Sequence, residues 1–169
     1  MRRTALFFGV SLIASLATAP LSLRADHFAI ELQVKTSAGT GTVHAQTMAL
    51  GAKAKARPVL EGAAGKTITV HWTLTCTDSN ETFKDVVAHF FIIKEEKAGQ
   101  PAVPKLDKNV EVESALTMDF KPGVKARGEQ TFQIGKPGVY LVRLETIGAA
   151  ASAGSNGHEH FASLDLVLK

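Results

Sequence analysis

With 169 residues, of which 45% are hydrophobic, 21% charged and 7% aromatic, the chain has the make-up of one globular domain, which excludes a disordered protein and a multispan membrane protein. The formal charge of +3 comes from the start, because Arg2, Arg3 and Arg24 are three of the 19 basic residues and no acidic residue precedes Asp26. Residues 26–169 then balance 16 basic against 16 acidic side chains. That neutrality gives no electrostatic footing for nucleic acid or an anionic membrane.

Met1-Arg2-Arg3 is a short basic start, followed by an uncharged run over residues 5–17. That run is short beside the roughly 20 apolar residues a membrane span needs. The layout predicts a secretory signal peptide over residues 1–25 and a single domain over 26–169. Two cleavage sites compete. Ala17-Thr18-Ala19 has the better small-residue pattern, but Pro20 would follow the cut; cutting after Ala25 leaves Asp26 first, and this site is favoured. The context of the Arg pair matches general secretion better than a twin-arginine signal. No Cys stands at a lipoprotein position, so the expectation is a secreted or periplasmic protein with no membrane anchor after cleavage. Cys76 is the only cysteine, so no intrachain disulfide is possible. Its parity with Ile68, Val70, Trp72 and Leu74 marks it as a small core hydrophobe.

From residue 26 onward, period-two alternation dominates and no 3.6-residue period stands out. Phe28, Ile30, Leu32 and Val34 alternate with polar neighbours, and Gly39-Thr40-Gly41 reads as a hairpin turn. Residues 66–76 form the clearest strand, with Thr67, Thr69, His71, Thr73 and Thr75 on the face opposite Trp72. Asp78-Ser79-Asn80 is a turn. Residues 83–94 are apolar on both parities in their middle, which predicts a strand covered on both faces and central in its sheet. Residues 95–104 read as a loop, and 110–120 as a strand ended by Lys121-Pro122-Gly123. Residues 129–134 and 139–146 are strands joined through a Pro137-Gly138 turn. Residues 148–157 form a Gly/Ala/Ser loop, and 158–169 a last strand. Seven to eight strands at this spacing predict an all-β antiparallel sandwich.

The stretch Phe132-Gln133-Ile134-Gly135-Lys136-Pro137-Gly138-Val139-Tyr140-Leu141-Val142 resembles the turn into the penultimate strand of immunoglobulin-like and fibronectin-type domains. More broadly, the chain is similar to small exported bacterial proteins, a likeness that implies no activity. The resemblance implies an immunoglobulin-like sandwich in which the Tyr140 hydroxyl bonds the preceding corner and Trp72 is the core indole. Paired cysteines are absent, and Trp72 falls one strand early if residues 66–76 are strand B.

Catalytic templates fail: there is no Gly-x-Ser-x-Gly elbow, no His-Glu-x-x-His pair and no phosphate-cradling Gly-rich loop. The spacing of Cys76 and His89 does not suit a blue-copper site. Acidic residues are scattered, so no acid–base pair can be named and no catalytic residue is assigned. Histidine placement is the one feature above background. His27 opens the first strand and His158-Glu159-His160 the last. If those strands run side by side in parallel, His27, His158 and His160 converge at one rim, where copper or zinc could bind with Asp26, Glu159 or a new terminal amine. The competing reading is a solvated strand end. Cleavage before His27 would instead allow a copper brace. His44 and His71 read as surface residues, and His89 as a satisfied core histidine. Asn80-Glu81-Thr82 matches a glycosylation acceptor. Residues 53–57 read as a solvated basic loop, and Lys94-Glu95-Glu96-Lys97 as a solubilising strand end.

The sequence thus predicts an exported, non-catalytic binding or structural module for a protein or carbohydrate partner, acting through residues 78–82 and 148–159. The alternative is a periplasmic or extracellular copper- or zinc-binding protein using His27, His158 and His160. An enzyme, the third reading, would need a site assembled from residues the sequence does not pair.

Overall fold

The computed structural model describes residues 27–44, 55–103, 108–147 and 160–169; the signal-like segment, residues 148–159 and His158 lie outside them. Among the described residues there are nine strands and no helix: β1 (Phe28–Lys35), β2 (Thr40–His44), β3 (Val59–Gly62), β4 (Thr67–Cys76), β5 (Phe83–Glu95), β6 (Val110–Phe120), β7 (Lys125–Gln133), β8 (Gly138–Ile147) and β9 (His160–Leu168). They form a four-stranded sheet, ordered β2-β1-β4-β7, and a five-stranded sheet, ordered β3-β9-β8-β5-β6. All pairings are antiparallel except β3 with β9.

Alternation places the core. Phe28, Ile30, Leu32 and Val34 of β1 and Ile68, Val70, Leu74 and Cys76 of β4 leave the four-stranded sheet on one side. They meet Ala88, Phe90 and Ile92 of β5, Tyr140, Val142 and Leu144 of β8, and Leu164, Leu166 and Leu168 of β9 in a single cluster. The result is a β-sandwich-like pair of sheets. Val, Ile, Phe and Thr dominate these strands because their branched or aromatic side chains fit a pleated surface.

Nine strands exceed the seven to eight expected, and two of them, β2 and β3, are short. The turn after β1 is Thr36 to Gly39, closed by the Thr36 N–H on the Gly39 carbonyl at 2.8 Å, so Thr40 and Gly41 already belong to β2. β3 is only four residues long and owes its conformation to parallel pairing with β9 from Val59↔Asp165 to Gly62↔Leu168. β5 is interior, between β8 and β6, with both faces buried as its sequence requires; β8 is the middle strand.

Trp72 is half-buried, not a core indole. Its ring lies over Gly128, its partner on β7, where a Cβ would stand 2.3 Å from the indole. Only glycine leaves room for that ring. The Tyr140 hydroxyl donates to the Lys136 carbonyl at 2.8 Å, bonding the corner before β8.

The sequence expectation that the first and last strands lie side by side needs correction. β3 takes the place beside β9, while β1 faces β9 from the other sheet. Their starts still coincide, since the His27 and His160 rings lie 6.0 Å apart. At the far end, Thr36 Oγ1 donates to the Glu61 carbonyl at 2.6 Å, beside the Gly62↔Leu168 pair. β1 and β9 therefore run in the same direction across the sandwich.

Candidate functional site

The rim where β1 and β9 begin is built by three connections. Phe28 pairs with Cys76 at the end of β4, and the Thr77 N–H donates to the His27 carbonyl at 2.8 Å. The chain then turns on Asp78, whose Oδ1 accepts the backbone N–H groups of Asn80 at 2.7 Å and Glu81 at 2.8 Å. A short polar side chain capping its own backbone is the reason Asp-Ser-Asn turns here. These N–H donors, with His27 adding to them, hold the Asp78 carboxyl below the usual carboxylate range.

Asp78 Oδ2 stands 3.4 Å from His27 Nδ1, both groups mostly shielded from solvent. The His27 ring lies 5.0 Å from the Phe83 ring and edge-on to His160. Phe28 joins Phe83 at 5.3 Å, Phe120 at 5.1 Å and His160 at 5.9 Å. This ring cluster stoppers one end of the core. The β6–β7 turn arrives at the same end, with the Gly123 N–H on the Cys76 carbonyl at 3.1 Å. Cys76 is buried beneath it, and burial pushes its thiol above the ordinary value. A protonated, enclosed sulfur is a poor nucleophile.

The structure brings two of the three sequence-predicted histidines together, and His158 lies outside the described residues. His160 is fully buried and faces inward, which corrects the reading of a solvated strand end: it shares parity with Ala162 and Leu164, and so belongs to the core face. Among the described residues, no group of three or more His, Cys, Asp or Glu side chains gathers as a metal cluster. His44 and His71 lie on the solvent face of the four-stranded sheet, near Glu31 and Glu129.

A second polar assembly had no sequence forecast. The basic stretch over residues 53–57 was expected to be solvated, yet Arg57 is buried on the outer face of the five-stranded sheet. Its Nε donates to Asp165 Oδ1 at 2.6 Å, its Nη2 to both oxygens of Glu95 at 2.6 and 2.5 Å, and its Nη1 to the Ala102 carbonyl at 2.7 Å. The Gly99 N–H donates to Asp165 Oδ2, and the Asp165 N–H to the Pro58 carbonyl at 2.8 Å. Glu95 is likewise no solubilising strand end. Burial pushes its carboxyl above the ordinary range, with Arg57 opposing and the Asp165 charge adding to the rise. The clasp fastens the segment entering β3 and the β5–β6 loop onto the sheet.

Further along the same face, His89 bridges Glu145 and Glu113, and Arg143 Nε donates to Glu145 Oε2 at 2.6 Å. The Arg143 guanidinium lies 3.8 Å from the centre of the Phe161 ring. The available signal was a charge inside an apolar strand. Asp165 stands between Leu164 and Leu166, and Arg143 and Glu145 stand in a strand flanked by others on both sides.

No known protein family's profile matches the chain, and no curated protein matches it by sequence. Among the described residues, no helix is long and apolar enough to cross a membrane.

Proposed function

We propose that this is an exported, non-catalytic binding module of immunoglobulin-like architecture, secreted or periplasmic, which presents the His27 rim to a protein or carbohydrate partner. One observation carries the reading: the β4–β5 turn and the start of β9 converge beside His27, on a stiff two-sheet scaffold. Loops held at the end of such a scaffold are the usual place for recognition. The strand orders β1-β4-β7 and β9-β8-β5-β6 and the parallel partner of β9 support the immunoglobulin-like reading, as does the Tyr140 corner bond. The basic start and uncharged run before residue 26 support export.

The test compares wild type with a rim variant, Asp78→Ala with Glu81→Ala, and with a face variant, His71→Ala with Glu129→Ala. Each is presented to a glycan array and to cross-linked extract of the cell envelope. Capture lost only in the rim variant supports the proposal. Capture lost equally in both, or absent in wild type, opposes it.

A second reading rests on the 6.0 Å separation of the His27 and His160 rings beside Asp78. Copper or zinc would bind there through imidazole nitrogens, with His158 as a further ligand. Calorimetric titration of the protein with Cu²⁺ and with Zn²⁺ separates the two. Heat at micromolar metal that disappears in His27→Ala favours the metal reading, and no heat removes it.

A further inference from the structure

The outer face of the five-stranded sheet holds a histidine between two carboxylates on different strands. His89, on β5, is buried. Its Nδ1 lies 3.0 Å from Glu145 Oε1 of β8, and its Nε2 lies 2.9 Å from Glu113 Oε1 of the edge strand β6. The two carboxylates differ in surroundings. Glu145 is almost enclosed and receives Arg143 Nε at 2.6 Å, whereas the Glu113 side chain is 57% exposed. Among the described residues, the ionisable groups facing His89 are Glu113 from β6 and Glu145, with its partner Arg143, from β8. β9 contributes Phe161, whose ring carries Arg143, and β5 itself contributes the Phe91 ring at 5.1 Å.

An ionised carboxylate only accepts hydrogen bonds, and a neutral imidazole has a single N–H. Both bonds therefore exist at once only when His89 carries two protons. We propose that His89 is a proton-operated latch on β6. Protonated, it ties the edge strand to β8 across β5. Neutral, it keeps its N–H on Glu145, which burial and Arg143 hold in place, and turns a lone pair toward Glu113. The exposed Glu113 then swings to water, where its hydration is restored at little cost. β6 keeps its backbone ladder to β5 but loses its side-chain anchor on this face. Burial on its own would lower the affinity of His89 for its second proton, but the hydrogen bonds and charges of Glu145 and Glu113 outweigh it and raise that affinity. The latch thus opens above the ordinary histidine range of about 6.5.

The test follows the full chain by nuclear magnetic resonance, reading the His89 ring shifts and the amide exchange of residues 111–117 against pH. The expected result is a His89 titration above about 6.5, with β6 protection, corrected for intrinsic rates, falling about fivefold through the same midpoint. Glu113→Gln removes the charge at an exposed position that the fold tolerates. It should lower the His89 midpoint and flatten the pH dependence of β6 exchange, while exchange in β4 stays unchanged. His89→Gln should flatten it as well. A His89 midpoint below about 6, or β6 protection independent of pH in wild type, overturns the proposal. So does unaltered pH dependence in Glu113→Gln.

Discussion

The outer faces of the two sheets have opposite fates. On the four-stranded sheet, Thr67, His71, Glu31 and Lys35 point to water, and β4 alternates as an antiparallel strand with one wet face should. On the five-stranded sheet the outer face is buried along the middle of β5, β8 and β9, although edge strand β6 stays wet there. Phe91, Ile93 and Leu141 form a second cluster there, between the Arg57 clasp and the His89 bridge. Removing charges from water costs several kcal/mol per ion, and burying each of the three apolar side chains returns about 1.5–3 kcal/mol. The polar groups are tolerated because almost every one is paired and the apolar cluster closes around them. A charge on the first face is decoration; a charge on the second is structure.

Breaking that contrast should have its largest effect at Arg57. Arg57→Ala leaves Asp165 and Glu95 buried without their cation, and chemical denaturation should show a loss of about 3–5 kcal/mol. The triple variant Arg57→Leu, Asp165→Leu and Glu95→Leu should recover much of this, because no lone charge remains. Next comes Gly128→Ala, which forces Trp72 off its seat and should cost about 1–3 kcal/mol in the same assay, with a change in tryptophan fluorescence. Tyr140→Phe removes only the bond to the Lys136 carbonyl and should cost about 1 kcal/mol. The smallest effect belongs to the wet face: His71→Ala, which breaks an exposed pair with Glu129, should change stability by less than about 0.5 kcal/mol.

The same contrast has a pH signature. His89 binds its second proton more tightly in the folded chain than in the unfolded one. Its contribution to stability is therefore complete below about pH 6.5 and is lost as pH rises through the higher folded value. Asp78 has the opposite sign, its contribution present above the unfolded value and lost as acid protonates the lowered carboxyl. Thermal melts of wild type and His89→Gln should differ most below about pH 6.5 and converge in alkali.

What the sequence revealed followed from periodicity. The alternation of β1 and β4, the two-faced burial of β5 and the strand end at Lys121-Pro122-Gly123 are local patterns, legible in a few adjacent residues, whereas the corner bond of Tyr140 was implied by the resemblance carried by residues 132–142. The nearness of His27 and His160 was also foreseen, although through a pairing that β3 in fact occupies. The clasp escaped because its members, Arg57, Glu95 and Asp165, lie far apart in the chain and meet only once the sheet is assembled. A charged side chain in a strand looks the same whether water or a loop covers it. His160 was read as exposed for a related reason. The polar residues before it suggested a solvated end, whereas parity with Ala162 decided its direction.

The most direct test of the proposed function is hydrogen exchange mapped with and without the partner captured by the wild-type protein. Protection should be gained in residues 77–82 and 160–162, with the outer face of β4 and β7 unchanged. Protection gained across that face, with the His27 rim unaffected, would contradict the proposed function.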